Sequence, residues 1–428
     1  MGRWITPFSF LCRPDTPLRR FPRSETTRCI ERMSCMTKTV VTLAIWLSLI
    51  AQVHASNLAP GLYMASGRTI YVGVRHELPD PASNDFFDSA SQRTGALHAT
   101  TQVLKLRSGI LEDSHIIQAP QGQLGFSLYY AGERPRATVI LIHGNDPETR
   151  EMGFIIPFFV CSGINVISYD QRGMGESAGS WLLNGPSQRA DDVAAIYDVM
   201  RGDPHVDSHR IGVWGFSNGG WTAPLVSLYR PVAFMLLKSA PTESLAQNID
   251  YEVEQTMRRH NAEDAFPQAV ILWHAFERAL DGTASWSYAK HLHDLDAKQP
   301  WFQYSLMPEL GISISPPPLM IAGLRRFVTF DPTHALLAVS STPTLALYGA
   351  LDRNVDAADS AAHLREYLTR AGNRDITIKM YPDAGHQLIV SKSGYNVDPT
   401  LPERFVPQYP QIMITWLAQR GFTKERAR

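Results

Sequence analysis

The sequence predicts an α/β protein with a mostly parallel central sheet, a helical cap inserted into the sheet domain, and a strand-rich segment before it. From residue 136 onward, apolar strand-like runs alternate with helix-like runs. The run at 137–142 is continuously apolar, which is typical of a parallel strand covered on both faces. Finally, residues 241–341 form a connection of about a hundred residues where a short crossover would suffice, which predicts an inserted domain.

The elements of the predicted core fall into two blocks, 136–240 and 342–428. Strand-like runs occur at 137–142, 163–169, 210–214, 231–237, 343–348 and 376–380. Helix-like runs lie between them, around 189–200, 220–229 and 356–371. The two blocks are therefore expected to fold as one core.

The long connection and the segment before the core have their own patterns. Helical stretches near 243–260, 262–280 and 285–295 predict that 241–341 is a mostly helical cap over the sheet edge. Residues 56–135 are expected to be strand-rich and rich in loops, with short strands at 71–74, 101–106 and 126–130.

The first 55 residues have the layout of a secretory signal peptide. An apolar run at 39–51 follows Lys38 and ends near Ala55, after which cleavage is expected. Translation is expected to start at Met33 or Met36, which both lie within five residues before Lys38. A retained N-terminal anchor, or a twin-arginine signal farther upstream, stays open as an alternative. We expect an exported protein, periplasmic or extracellular, with no membrane span once the signal is removed.

Composition limits the partners. The chain has 428 residues, 44% hydrophobic and 19% charged, with a net charge of −1, which gives no reason to expect nucleic-acid binding. After Ala55 a single cysteine, Cys161, remains, so the exported chain would have no internal disulfide. The expected partner is a small-molecule ester or a short peptide.

A serine between two glycines gives the clearest chemical signal. The sequence Gly215-Phe216-Ser217-Asn218-Gly219 lies between the predicted strand at 210–214 and the predicted helix at 220–229. A strand-to-helix turn this tight needs small residues around the serine, and it holds the hydroxyl out at the sheet edge. Ser217 is the predicted nucleophile.

An acid and a base follow later strands, in the chain order serine, aspartate, histidine. Asp352 comes just after the strand at 343–348, and Asp356 is the runner-up for its role. His386 follows the strand at 376–380. Histidine can accept and return a proton near neutral pH, and a carboxylate can orient its ring. Asp352 and His386 are the predicted acid and base.

The oxyanion of an acyl-transfer reaction needs backbone N–H donors. Asn218, directly after the nucleophile, is expected to supply one. The loop after the strand at 137–142 is expected to supply the other through Asn145, while His143 braces that loop.

Two further patterns fit catalysis or metal binding less well. The stretch around Ser177 also reads Gly-x-Ser-x-Gly, but a loop precedes it and no helix pattern follows, so Ser177 is not expected to be a nucleophile. His291, His293, Asp294 and Asp296 are spaced as conceivable metal ligands, but a solvated polar helix face is the expected interpretation.

Taken together, these motifs resemble the α/β-hydrolase superfamily, most of all its serine-aminopeptidase, prolyl-oligopeptidase-like and dienelactone-hydrolase-like branches. The resemblance covers about 136–238 and 342–428. It implies a hydrolase that uses no metal or cofactor and acts on an ester, thioester or amide. The motifs that carry it are Ile142-His143-Gly144, the stretch 169–175 with its Asp-x-Arg-Gly-x-Gly pattern, the Ser217 turn, the stretch 349–352 and Gly385-His386.

Three functions fit these motifs to different degrees. The first is a serine carboxylesterase or thioesterase, whose acyl pocket would be lined by the cap aromatics Trp273, Trp286, Trp301 and Phe302. The second is a serine peptidase for short peptides, which would need an anionic anchor such as Glu252 or Glu254. The third, a non-catalytic binding protein on the same fold, is disfavoured because all three members of a catalytic triad are present.

Overall fold

The computed structural model describes residues 61–65, 68–73, 85–88, 110–130, 132–153, 155–308, 316–395, 401 and 404–423. All of them belong to one compact unit, Ala59–Arg428. The predicted signal peptide and the predicted strand at 101–106 lie outside these residues. Among the helices described, none is both long and apolar enough to cross a lipid bilayer.

The strands form two sheets. The smaller sheet contains β1 (Gly61–Ala65), antiparallel to β2 (Arg68–Gly73), and β3 (Asp85–Asp88), parallel to β2. The larger sheet has eight strands: β4 (Leu111–Ala119), β5 (Gly122–Tyr130), β6 (Arg136–Ile142), β7 (Asn165–Tyr169), β8 (Val206–Phe216), β9 (Met235–Lys238), β10 (Thr344–Gly349) and β11 (Ile376–Tyr381).

The larger sheet confirms the predicted fold class. Its spatial order is β4-β5-β7-β6-β8-β9-β10-β11. The strands from β7 to β11 pair in parallel, while β5 is antiparallel to both β7 and β4. The sheet begins at Leu111, farther toward the N-terminus than the predicted start of the core at residue 136.

The described helices are α1 (Ile155–Cys161), α2 (Pro186–Met200), α3 (Gly219–Tyr229), α4 (Leu245–Arg259), α5 (Phe266–Asp281), α6 (Trp286–Asp296), α7 (Pro318–Val328), α8 (Thr333–Leu336), α9 (Ala357–Arg370) and α10 (Gln411–Gln419). α2, α3 and α9 contribute to the hydrophobic core on one face of the larger sheet, and α1 and α10 to that on the other. Burial on both faces explains why the central strands β6, β9 and β10 are largely apolar.

Between β9 and β10 the chain forms helices α4 to α8. The stretches predicted near 243–260, 262–280 and 285–295 correspond to α4, α5 and α6. Helix α4 begins with a capping box in which Ser244 and Gln247 satisfy each other's backbone N–H groups. Helix α7, which was not predicted, begins at Pro318, a residue whose fixed φ suits the first turn of a helix.

Candidate active site

The turn between β8 and α3 holds Ser217 in a strained conformation. Its φ is 51°, in the left-handed region that non-glycine residues rarely occupy. A Cβ on Gly215 would lie 2.6 Å from the Gly219 carbonyl oxygen, and a Cβ on Gly219 would lie 2.5 Å from that of Ile142. Both glycines are therefore required by close backbone approach. The backbone N–H of Ser217 donates to the Lys238 carbonyl at 2.9 Å, tying the turn to β9.

Asp352 and His386 form a buried pair. The Nδ1 atom of His386 lies 2.8 Å from Oδ2 of Asp352, and the two residues are 7% and 1% exposed. Since an ionised carboxylate can only accept, Nδ1 carries the proton and Nε2 keeps its lone pair. The pair thus fixes the tautomer that a general base needs.

Hydrogen bonds in the loop after β10 distinguish the roles of the two candidate acids, Asp352 and Asp356. The second oxygen of Asp352 accepts the backbone N–H groups of Asn354 and Val355, at 2.8 and 3.0 Å. The Asp356 carboxylate instead caps α9, accepting the N–H groups of the second and third helical residues at 3.1 Å. Asp356 therefore has a structural role, while Asp352 contacts the imidazole.

Ser217 and His386 line the same cavity, of about 580 Å³, between the sheet edge and the cap. The imidazole lies beside the ring of Phe216, with ring centroids 5.1 Å apart. No hydrogen bond joins the Ser217 hydroxyl to the imidazole, both of which lie in the described part of the chain. Such nucleophile–base bonds are often long in unliganded enzymes and tighten when substrate binds.

Asn145 and Asn218, the predicted oxyanion donors, line the same cavity. Within the described residues, neither backbone N–H donates to a protein acceptor. The preceding peptide is held firmly, because the Gly144 carbonyl accepts from Gln171 at 3.1 Å and from Arg189 at 2.8 Å. The two N–H groups are thus available to a ligand in the cavity.

His143 braces this loop. Its side chain is fully buried, with Nε2 2.6 Å from the Tyr169 carbonyl oxygen and Nδ1 3.0 Å from a Glu148 carboxylate oxygen. Both ring nitrogens face oxygen acceptors, so neither offers a lone pair to Ser217.

Ser177 lies in the loop after β7 and does not line the cavity. Its hydroxyl donates to the Asp170 carbonyl at 2.7 Å and accepts the Gly125 N–H at 3.0 Å. The neighbouring Arg172, 2% exposed, pairs with the buried Asp192. The Asp-x-Arg-Gly-x-Gly stretch therefore stabilises a loop and holds no reacting group.

The cap presents faces of three helices, α4, α5 and α7, to the cavity. Of the four aromatics predicted to form an acyl pocket, Trp273 lines it, while Trp286, Trp301 and Phe302 pack within the cap's own cluster. Glu252 also lines it and accepts from Asn354 at 2.7 Å. The other predicted anchor, Glu254, pairs with Arg258 away from the cavity. Residues of this lining that sequence reasoning missed include Asn248, Phe276, Glu277, Leu280, Leu324 and Phe327.

A buried lysine beneath the serine turn was also missed. Lys238 ends β9, is 5% exposed, and its ammonium lies 4.5 Å from the centroid of the Phe216 ring. Its Nζ donates to Gln387 at 3.1 Å. Burial lowers the pKa of Lys238 to about 7. A strand-end lysine in an apolar run gives no sequence signal that separates it from a solvated one.

The histidines and aspartates of α6 do not converge on a metal. His293 contacts the ring of Phe302 and lies 3.3 Å from Asp294, which also pairs with Lys290. Among the residues described, no group of three or more His, Cys, Asp or Glu side chains could hold a metal ion.

Comparison with known proteins gives a consistent assignment. Residues 133–305 match the family model described as serine aminopeptidase, S33. This region runs from just before β6 into the cap and contains Ser217, Asn145 and Asn218.

The sequence relatives match over shorter regions. A thiohydrolase from Aspergillus aculeatus, aneE, is 26% identical over 143 residues, which is 33% of this chain and 42% of the relative. An uncharacterized 31.7 kDa protein of Escherichia coli is 34% identical over 62 residues, 14% of this chain and 22% of the relative. The chain thus spans less than half the length of these relatives.

Solved structures similar to the chain include DcsB in complex with its substrate analogue, with a TM-score of 0.46 and 16% identity, covering 74% of this chain and 100% of that one. Another is the Pyrococcus furiosus esterase Pf2001, with a TM-score of 0.43 and 16% identity, covering 75% and 92%. The strand order and the strained serine turn are those of an α/β-hydrolase fold, and the family match covers less than half of the chain.

Proposed function

We propose that the protein is an exported serine hydrolase that cleaves a carboxylic ester or thioester through an acyl-enzyme. Its nucleophile would be Ser217, its base His386 and its orienting acid Asp352. The observation that carries the proposal is the buried 2.8 Å contact between Asp352 and His386, whose ring lines the same cavity as the strained Ser217.

In the first step, the Ser217 hydroxyl attacks the ester carbonyl carbon while Nε2 of His386 takes its proton. The carbonyl oxygen gains a negative charge, which the N–H groups of Asn145 and Asn218 stabilise. Asp352 stabilises the imidazolium that forms. As the tetrahedral intermediate collapses, the bond to the leaving oxygen or sulfur breaks and the imidazolium returns its proton to that atom.

In the second step, a water molecule replaces the Ser217 hydroxyl as the attacking group. Nε2 of His386 takes a proton from water as its oxygen attacks the acyl carbon on Ser217. The intermediate collapses by breaking the bond to the Ser217 oxygen, which takes back the proton. A carboxylic acid is released and the resting state returns.

The lining of the cavity supports an acyl substrate. Its cap side is formed largely by the side chains of Trp273, Phe276, Leu280, Leu324 and Phe327. Burying a methylene contributes about 0.8 kcal/mol, so such a wall favours substrates with an apolar acyl chain.

A serine peptidase for short peptides is the second candidate. The observation that favours it is acidic lining: Glu252 and Glu277 both line the cavity and could accept hydrogen bonds from a substrate ammonium. The family model that matches residues 133–305 is also described as an aminopeptidase.

A substrate panel tests the proposal. Purified protein is assayed with p-nitrophenyl esters of rising acyl length, a matched thioester, and aminoacyl p-nitroanilides. We expect kcat/KM for the esters to exceed that for the amides by at least about 10²-fold, since an ester carbonyl is attacked more readily than an amide carbonyl. Efficient amide cleavage would favour the peptidase, and a folded protein that turns over none of them would contradict the hydrolase proposal.

Export is a separate part of the proposal. It is supported by the apolar run at 39–51 and the small-residue site ending at Ala55. N-terminal sequencing of the protein recovered from its native host is expected to begin at Ser56. A start at Met33 or Met36 would instead indicate a retained segment.

A further inference from the structure

Helices α4 and α5 present matching faces to the cavity. On α4 the lining residues are Leu245, Asn248, Ile249 and Glu252, and on α5 they are Trp273, Phe276, Glu277 and Leu280. Both sets follow the spacing i, i+3, i+4, i+7, which places them along one face of a helix. Asn248 and Glu277 therefore stand at positions where apolar side chains would complete the wall.

Within the described part of the chain, one oxygen of Glu277 has no hydrogen-bond partner. The residue is 6% exposed, and Oε1 is buried without a hydrogen bond among the described residues. Leaving a buried polar atom unpaired costs about 1–3 kcal/mol. No described side chain or backbone group donates to this oxygen, so the Glu277 carboxyl keeps hydrogen-bonding capacity for a ligand in the cavity that the residue lines.

Asn248, on the facing helix α4, also has an acceptor atom without a hydrogen-bond partner among the described residues. Its side-chain oxygen Oδ1 is buried and accepts no hydrogen bond from the described residues. The contrast with Glu252 on the same helix face is informative, because the Glu252 carboxylate accepts from Asn354. The Asn248 oxygen is an acceptor, and the Glu277 carboxyl accepts through both oxygens once it is ionised, so a group that bonds both residues in that state must donate hydrogen bonds.

The charge around the cavity favours a substrate group that donates hydrogen bonds over an anionic one. The described lining residues include Asp146, Glu252 and Glu277 but no lysine or arginine. Burial, together with the nearby carboxylates of Asp250 and Asp281, raises the pKa of Glu277 to about 7. Above that pH Glu277 is ionised, so a carboxylate or phosphate on the substrate would be repelled here, whereas a hydroxyl or an ammonium would be accepted.

We propose that Glu277 and Asn248 form a polar subsite on the cap side of the cavity that binds a hydrogen-bond-donating group, a hydroxyl or an ammonium, carried by the acyl chain of the substrate. The acyl chain is the part that stays bonded to Ser217 through both steps, so it is the part that the cavity must hold. The inference rests on the proposed function and narrows its substrate class to acyl chains with a distal donor.

Matched esters test the subsite. The acyl chains compared are alkanoyl, ω-hydroxyalkanoyl and ω-aminoalkanoyl p-nitrophenyl esters, each from four to eight carbons, so that the leaving group is constant. At the best chain length, we expect a donor-bearing ester to have a kcat/KM at least about 10-fold above its alkanoyl counterpart, as one buried hydrogen bond provides. In Glu277→Leu this preference is expected to fall to near unity while alkanoyl esters are still cleaved.

Two further variants sharpen the test. One distinguishes binding of a hydroxyl from binding of an ammonium, and the other controls for a general effect of removing a carboxylate from the cap. Glu277→Gln keeps an acceptor oxygen but no charge, so it should retain a preference for the hydroxy ester and lose one for the amino ester. Glu254→Leu, which removes a carboxylate of α4 outside the cavity, should change neither preference. If Glu277→Leu kept the wild-type preference, or if the wild type cleaved all esters without discrimination, the subsite would be disproved. A wild type that cleaved no ester would instead contradict the proposed function itself.

Discussion

The two sides of the cavity differ in how far their polar groups are hydrogen-bonded within the protein. Behind the sheet side, both oxygens of Asp352 and both nitrogens of His143 are engaged within the protein, and these bonds hold the His386 ring and the Asn145 loop that line the cavity. On the cap side, acceptor atoms of Asn248 and Glu277 are buried without a protein donor among the described residues. The sheet side is therefore held in place before any ligand binds, whereas the cap side carries the acceptors that the proposed subsite would use.

The largest expected effect tests the sheet wall at its centre. Replacing Ser217 by alanine removes the proposed nucleophile, so kcat for the best ester is expected to fall by about 10⁵–10⁶. Thermal unfolding should stay close to that of the wild type, because the hydroxyl makes no hydrogen bond within the described structure.

Ser177→Ala is the matched control. It leaves the Asp170 carbonyl and the Gly125 N–H without their side-chain partner, which is expected to cost about 1–3 kcal/mol of stability. Most of the activity should remain below the unfolding transition. Equal loss of activity in both variants, with both folded, would mean that the two serines have been assigned the wrong roles.

The second effect concerns the acid. Asp352→Asn keeps the shape of the side chain, but its amide can donate to Nδ1 of His386 and so permits the tautomer that has no lone pair on Nε2. We therefore expect kcat to fall by about 10⁴. Asp356→Ala should instead lower the unfolding free energy by about 1 kcal/mol through loss of the α9 cap, with kcat little changed. Kinetics and urea denaturation of both variants distinguish these outcomes; the reverse pattern would make Asp356 the functional acid.

The third effect concerns the oxyanion donors. Asn145→Pro deletes the backbone N–H, and kcat is expected to fall by about 10²–10³ with a smaller change in KM. Asn145→Ala retains that N–H and should keep activity within a few-fold of the wild type. Equal kinetics in both variants would place the second donor elsewhere in the loop.

The smallest effect concerns Lys238, which is buried beneath the serine turn on the sheet side. Its pKa is lowered from 10.5 to about 7, so between these values the unfolded chain binds more protons than the folded one. The wild type therefore gains stability as pH rises from about 7 toward 10.5.

Lys238→Met removes this dependence. The variant is expected to be more stable than the wild type near neutral pH, with an advantage on the order of 2 kcal/mol larger at pH 7 than at pH 9. Urea denaturation at the two pH values measures it. An advantage that does not change with pH would show that the lysine stays charged in the folded protein.

The contrast between the sheet side and the cap side of the cavity also explains which parts of the site could be predicted from the sequence. The sheet wall is built from turns that follow strands, and each turn has a local signal: two glycines around Ser217, or an aspartate or histidine just after an apolar run. Because parallel strands deliver their ends to one edge, residues as distant as Asp352 and His386 could be assigned to one site.

What could not be predicted depends on tertiary context. Strand β4 is a polar edge strand, with exposed or half-buried residues throughout, so it lacks the apolar run that marks the central strands. Glu277 and Asn248 lie in amphipathic helices, where a carboxylate or amide is ordinarily solvated. Only the packing of α4 against α5 reveals that they face a cavity.

The most direct test of the account is to locate the nucleophile chemically. Wild-type protein is treated with a fluorophosphonate, which reacts with an activated serine, and the modified peptide is sequenced by mass spectrometry. The account predicts a single adduct on Ser217, absent from Ser217→Ala and retained in Ser177→Ala. An adduct on Ser177, or a folded wild-type protein that takes up no label, would contradict it.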